Sequence, residues 1–232
     1  MKEVILLKLG ELVLKGLNRY KFEDRLMADI RRGLKGCGSF GIDSRQSAMY
    51  IEPDGDFDMD AAIEICKKIF GIVAIDRACV CEKDMDVIYK SLTGYLDAAL
   101  REAHSFKVEA KRADKRFPLN SIQIMQDIGG RIDDAYDNLR VDVHEPELTV
   151  YVEIREKGAY IHATPIPGAG GMPAGVNGRA MLMISGGIDS PVAGWLMARR
   201  GVALEAVHFE SYPYTSLEAL DKVKTLLSIV AR

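Results

Sequence analysis

One compact arrangement gathers serine, glycine and aspartate: Ser185-Gly-Gly-Ile-Asp-Ser190, directly after the apolar run 181–184 and directly before Pro191. These residue types suit the close holding of an anion. Glycine lets backbone amides approach a phosphate without a Cβ in the way, and a helix start adds unpaired N–H groups and the positive end of the peptide dipoles. Asp189 or Ser190 stands where it can cap the helix that Pro191 opens, because proline in the first turn gives up no needed amide. Walker-type loops end in Gly-Lys-Ser/Thr, and no lysine stands there in this chain. The spacing therefore predicts a nucleotide loop of another kind, in which a buried strand delivers a phosphate to a helix start. A ligand-free strand-to-helix turn is the competing reading. It is disfavoured by the coincidence of apolar run, Ser, Asp, Ser and capped helix.

A second stretch carries a different chemistry. Ser105-Phe-Lys-Val-Glu-Ala-Lys-Arg112 alternates apolar and charged residues as a half-buried strand does, then continues through Ala113-Asp-Lys-Arg-Phe-Pro-Leu-Asn-Ser121. Lys107, Lys111, Arg112, Lys115 and Arg116 stand against only Glu109 and Asp114. Phe117 lies beside them, and an aromatic next to clustered cations can stack a base while the cations meet phosphate. A solvated charged face is the plainer alternative. The net charge of −3 argues weakly against nucleic acid as a partner, but this local cluster reverses that.

Bulk properties bound the rest. The 232 residues suffice for two or three small domains, and 48% hydrophobic with 28% charged residues is ordinary for a globular protein. No apolar run approaches the roughly 20 residues of a membrane span. The N-terminus meets charge again at Lys8 and Glu11 and lacks a small-residue cleavage site, so it reads as a first strand, and a cytoplasmic location is expected. Cys37, Cys66, Cys79 and Cys81 form no Cys-x-x-Cys pair, which supports neither zinc nor a disulfide framework. His144 and His162 have no partner at ligand spacing and read as structural.

Three segments must position these residues. The first reads strand, helix, strand, strand, helix, strand. Its helix from about Asn18 carries Phe22, Leu26, Ile30 and Leu34 on one face, and its second helix runs from about Met59 to Phe70. That order suggests a ferredoxin-like α+β unit. The second segment has a helix over 85–103 and the alternating strand 105–112. A helix capped by Asn120 or Ser121 follows, bearing Ile122, Met125, Ile128 and Ile132 on one face, and then strands at 139–143, 148–154 and 159–163. A proline- and glycine-rich connector, 166–178, leads to strand, loop, helix, strand 202–209 and a last helix, where Thr215-Ser-Leu-Glu218 has capping-box spacing. Strands alternating with helices imply a parallel, doubly wound sheet, with ligands beyond the strands' carboxyl ends. The boundaries expected are 1–76, 77–165, 166–178 and 179–232. Two strands and two helices are too few to cover both faces of such a sheet, so the third unit is expected to be partial or completed by another copy.

With these residues in place, the chain resembles the tRNA 4-thiouridine synthetases, often called the ThiI family of thiamine biosynthesis. The resemblance rests on five stretches: Gly10-Glu-Leu-Val-Leu-Lys-Gly-Leu-Asn-Arg19, the 106–121 stretch, Val141-Asp-Val-His144, Ile166-Pro-Gly-Ala-Gly-Gly-Met-Pro173 and Ser185-Gly-Gly-Ile-Asp-Ser-Pro-Val-Ala-Gly194. The Ser-Gly-Gly-x-Asp-Ser loop alone marks only the wider ATP pyrophosphatases. The resemblance implies a ferredoxin-like domain, a THUMP α/β domain and a partial ATP pyrophosphatase domain. It also implies ATP with Mg2+, tRNA held by its acceptor region, and an ATP-dependent sulfurtransferase that adenylates uridine 8 and replaces its oxygen with persulfide sulfur. A cysteine desulfurase would be the sulfur donor, a homodimer is expected, and sulfur transfer to the thiamine thiazole is a further implied role.

Carried over by position, Ser185, Gly186, Gly187, Asp189 and Ser190 would hold ATP phosphates, with Asp189 catalytic, acting through magnesium. Met183, Ile184, His208 and Phe209 would line adenine through backbone groups. Lys15, Asn18, Arg19, Lys111, Arg112, Lys115, Arg116 and Phe117 would contact or position tRNA. The family's sulfur-receiving cysteine has no counterpart among the four here, so this chain alone is not expected to complete thiolation. The alternatives are a tRNA-binding module only, or an amide-forming ATP pyrophosphatase.

Overall fold

The computed structural model describes residues 1–45, 48–211, 213–214 and 216–231, and for Leu17 the backbone alone. The first unit runs β1 (Lys2–Leu9), α1 (Arg19–Gly33), β2 (Gly38–Arg45), β3 (Ala48–Phe57), α2 (Met59–Cys66) and β4 (Ile72–Cys81). Leu26, Ile30 and Leu34 recur at helical spacing and are buried against Ile5 and Leu7 of β1, which accounts for α1. Asp58 caps α2 by accepting the Ala61 amide at 2.9 Å. The helix ends at Cys66, short of the expected Phe70, and a turn fills the difference. Strand order β2-β3-β1-β4 with antiparallel neighbours is the ferredoxin-like arrangement.

The second unit adds α3 (Met85–Glu102), β5 (Ser105–Arg112), α4 (Ser121–Ala135), the two-residue β6 (Arg140–Val141), β7 (Leu148–Ile154) and β8 (Ala159–His162). Asn120 caps α4 in a full capping box with Gln123. The buried face of α4 is Ile124, Ile128 and Ile132; Ile122, expected on it, is 61% exposed. Both phases fit a 3.6 period, and the cap sets which one faces the sheet.

One sheet joins the two units. Among the described residues its order is β2-β3-β1-β4-β8-β7-β5-β6, with β9 (Ile166–Pro167) on β4. Strand β4 therefore serves both units: Ile72 and Ile75 enter the core under α1 and α2, while Cys79 enters the one under α3 and α4. From β1 the pairings run antiparallel to β4, antiparallel to β8, antiparallel to β7 and parallel to β5. Strands β1 and β5 thus point in opposite directions, so Leu9 and Arg112 end at opposite edges of the sheet.

The 166–178 stretch is hydrogen-bonded rather than a free tether. The Gly71 amide donates to Gly170 O at 2.8 Å, Gly168 to Val73 O at 2.9 Å, and Met172 to Arg199 O at 2.9 Å. The third unit comprises β10 (Arg179–Met183), α5 (Asp189–Arg199), β11 (Ala203–Val207) and α6 (Leu217–Val230), with β10 and β11 parallel as the sequence suggests. Arg199 Nε donates to Ala169 O at 2.9 Å and Arg200 pairs with Glu11 at 2.9 Å, fixing the far end of α5 against the first unit. Thr215 lies outside the described residues; Ser216 is the N-cap of α6, accepting from the Ala219 amide at 3.4 Å.

Candidate nucleotide and RNA sites

Strand β10 ends at Met183, and the chain turns through 184–188 into α5. The Ser190 hydroxyl accepts the Ser185 amide at 3.0 Å and lies 3.3 Å from Ser185 Oγ, closing the loop across its mouth. That overturns one expectation. The N-cap position is Ile188 and no side chain caps α5, because Ser190 reaches back to Ser185 and Asp189 points to solvent as the first helical residue. The amides of Gly186, Ile188, Asp189 and Ser190 are consequently left without an acceptor among the described residues. A helix start with open donors, one of them within the glycine pair and one directly after it, fits an anionic phosphate chain.

On the adjacent rim, His208 Nδ1 donates to Ile184 O at 2.9 Å and the Ile184 amide donates to Val207 O at 2.9 Å. Ile184 is 3% exposed, so both its backbone groups and its side chain are already engaged. It braces the rim, and its carbonyl keeps a second lone pair for a further donor. Met183 and Phe209 are open at 70% and 73%. A cleft of about 1150 Å³ lies elsewhere, between Phe70 and Arg32 of the first unit and Trp195 and Leu204 of the third.

At the β5 tip the structure separates the expected residues into three kinds. Lys111 and Lys115 are exposed and carry no ion pair among the described residues. Arg116 is held by Asp114 at 3.0 Å, and Asp114 also meets Lys83 at 2.7 Å; these hydrogen bonds hold the Asp114 carboxyl well below the usual carboxylate range. Arg112 Nη1 donates to Phe117 O at 3.2 Å, and its amide donates to Ser121 Oγ, shaping the turn. Phe117 is the correction: at 7% exposure it belongs to the core with Phe106 and Ile124 and cannot stack a base. Phe117→Leu is expected to cost about 1 kcal/mol of stability while leaving RNA affinity intact, readable from paired melting and filter-binding curves.

Lys15, Asn18 and Arg19 sit beyond Leu9, at the opposite edge of the sheet from this tip. Lys15 Nζ lies 5.2 Å over the Phe22 ring, Arg19 pairs with Glu23 at 2.6 Å, and Asn18 is exposed at the start of α1 with no capping bond from its side chain. The two basic groups are therefore distinct zones.

Sequence reading missed a buried ionic cluster on the helix-free face of the sheet. Asp76 (β4), Glu153 (β7) and His162 (β8) place donor atoms within 4.8 Å of one another, the geometry of a metal site. Positive charge is already supplied there. Lys8 Nζ is 2.9 Å from Asp76 and 3.5 Å from Glu153, and the Arg155 guanidinium is hydrogen-bonded to Glu153 at 2.7 Å. Two carboxylates against Lys8 and Arg155 balance without an ion. His162 stacks on Tyr151 at 4.9 Å and donates Nδ1–H to Ala163 O. Burial pushes the Cys66 thiol up to about 12 and Cys79 to about 11, so neither is a ready nucleophile.

The fold and the loop define a class: a ferredoxin-like unit and a THUMP domain sharing one sheet, followed by a parallel unit with a glycine-rich phosphate-type loop. Family profiles match it piece by piece. Residues 4–75 match the ThiI ferredoxin-like domain, 82–163 the THUMP domain, and 175–232 the thiamine biosynthesis protein (ThiI). The chain belongs to the ThiI family. A probable tRNA sulfurtransferase of Acetivibrio thermocellus is 47% identical over 100% of this chain and 59% of its own length. Among solved structures, a 4-thiouridine synthetase in complex with RNA and ATP superposes with TM-score 0.84 at 32% identity, covering 100% of this chain and 58% of that one. PH1313 from Pyrococcus horikoshii superposes with TM-score 0.85 at 27% identity, over 98% and 74% of the two chains. The chain thus spans about 59% of the length of the curated relative.

Proposed function

We propose that this chain is the ATP- and RNA-binding part of an ATP-dependent tRNA sulfurtransferase. The observation that carries the reading is the loop 185–190, with four open amides at the start of α5, on the same chain as a THUMP domain. The RNA- and ATP-bound 4-thiouridine synthetase of the same fold supports it. In this reading Ser185, Gly186, Gly187 and Ser190 hold the phosphates of ATP, and the exposed carboxylate of Asp189 holds Mg2+ beside them. The carbonyl oxygen of uridine 8 attacks the α-phosphorus and pyrophosphate leaves. That adenylation is needed because a carbonyl oxygen departs only once it carries a phosphoryl group. Open amides fixed in advance stabilise the charge that develops on the pyrophosphate. The terminal sulfur of a persulfide then attacks the carbon that bears the adenylated oxygen and AMP leaves; a thiol cleaves the remaining S–S bond, leaving sulfur on the base and a disulfide on the carrier. We assign the sulfur to a cysteine desulfurase and the enzyme to the cytoplasm as a homodimer; among the described residues no helix is long and apolar enough to cross a membrane.

Isothermal titration with ATP and Mg2+ tests the nucleotide part: saturable binding lost in Asp189→Asn is expected, and no saturable binding by the wild type would leave an RNA-binding module only. The RNA part is tested with Lys111→Ala/Lys115→Ala, the two tip cations without an ion pair among the described residues. Weaker tRNA binding is expected, with the slope of log K against log salt shallower by about 2. An unchanged slope would remove the tip from the interface.

A further inference from the structure

We propose that Lys222 is a phosphate-contacting residue of the nucleotide site, supplying from α6 the cation that the loop itself lacks. The inference rests on the reading of 185–190 as the ATP loop. In a Walker-type loop the lysine is built into the sequence next to the glycines and reaches the β- and γ-phosphates. Here the positions after Gly187 are Ile188, Asp189 and Ser190, and the only charge among them is negative. An anion as dense as a triphosphate, drawn to open amides beside that carboxylate, needs a compensating positive charge.

The fold places one. The Cδ of Lys222 lies 3.8 Å from the position a Cβ would take on Gly186, so the side chain passes beside the first glycine of the loop. Its ammonium is two bonds further on. Helix α6 is anchored by Val223, which is 2% exposed, and Lys222 falls in one row with the half-buried Ala219 and Leu226, along the border between the packed face and solvent. That border position lets the stem lie on the loop while the head stays in water. Lys224, two residues on, is paired with Asp221 at 3.4 Å, whereas Lys222 has neither an ion pair nor a hydrogen bond among the described residues. An exposed lysine whose stem lies beside Gly186 at the start of the open amides, with no partner for its charge among the described residues, suits the phosphate chain of a nucleotide. Gly186 contributes in a second way: a side chain there would occupy the space between Lys222 and the amides.

The test uses the purified chain and four proteins: wild type, Lys222→Gln, Lys222→Arg and Lys224→Gln as a neighbouring-charge control. Each is titrated with ATP plus Mg2+ and with adenosine. Lys222→Gln is expected to weaken ATP at least about tenfold, the lower end of a charge-assisted hydrogen bond, with adenosine unaffected. Lys222→Arg should recover most of the loss, and Lys224→Gln should show none. ATP affinity within twofold of wild type in Lys222→Gln, or an equal loss for adenosine, would overturn the proposal while leaving the ATP site in place. A wild type that binds no ATP would remove the nucleotide reading and this residue's role together.

Discussion

Glu153→Ala is expected to lower folding stability by about 3–5 kcal/mol, the cost of leaving buried charge without its partner. Glu153 is 4% exposed and Arg155 5%, so solvent cannot replace the lost carboxylate, and Lys8 loses one of its two acceptors. Burial alone would raise the Glu153 pKa. The charges of Arg155 and Lys8 outweigh it and hold the carboxyl well below the usual carboxylate range. A depressed carboxylate contributes stability above its unfolded pKa, about 4.3, and loses it as pH falls through the folded value. For Lys8, burial works downward, but Asp76 and Glu153 raise it on balance, so its contribution is full below the unfolded lysine pKa and fades at more alkaline pH. Stability of the wild type should therefore hold level across neutral pH and decline on the acid side, and Glu153→Ala should flatten that acid limb. Urea melts at several pH values read both quantities. An unchanged midpoint in the variant would show that the cluster is not holding the two units' shared sheet together.

Gly171→Ala should detach the third unit from the connector. Gly171 sits at φ +73°, where an L side chain costs about 1–3 kcal/mol. In addition, a Cβ there would come within 2.2 Å of Arg199 O and 2.6 Å of Arg199 Cγ. Arg199 O is the acceptor of the Met172 amide, and the Arg199 side chain reaches Ala169 O and lies 5.4 Å over the Trp195 ring. The ring of Trp195 meets Phe70 edge-on at 5.6 Å, so one displaced carbonyl loosens the whole contact between α5 and the first unit. Faster amide exchange at Met172 and Gly175, with α3 and β7 protected as before, is the expected result. Wild-type exchange at those two amides would contradict it.

The elements were legible where a local rule decides alone. Alternation in β5 and the i, i+4 row in α1 each fix their element without help from the rest of the chain, whereas the cap of α4 was open between Asn120 and Ser121 until the structure showed the Asn120–Gln123 box. The departures come from packing. Ile122 and Ile124 satisfy the same period, and only the sheet beneath α4 chooses between them. Phe117 beside four cations reads as a stacking platform, but a turn closed by Arg112 folds it inward to the core. Ser190 has the composition of a cap and spends its hydroxyl on Ser185. The candidate nucleotide loop was visible as contiguous sequence, whereas Lys222 and the Asp76, Glu153 and His162 cluster are assembled from distant strands or helices, and no spacing rule in a single sequence reaches them.

Opposed strand directions give the sheet the character of a gauge. The β5 tip and the zone beyond Leu9 are offset by about eight residues along the strands, about 27 Å, and by the four steps β1-β4-β8-β7-β5 across the sheet, about 19 Å. A rigid RNA that touches both zones gains the second contact as an intramolecular event, and one too short to bridge them pays for each contact separately. If both zones meet RNA as proposed, selection would begin with length, a stem being measured between two ends of one sheet before any base is read.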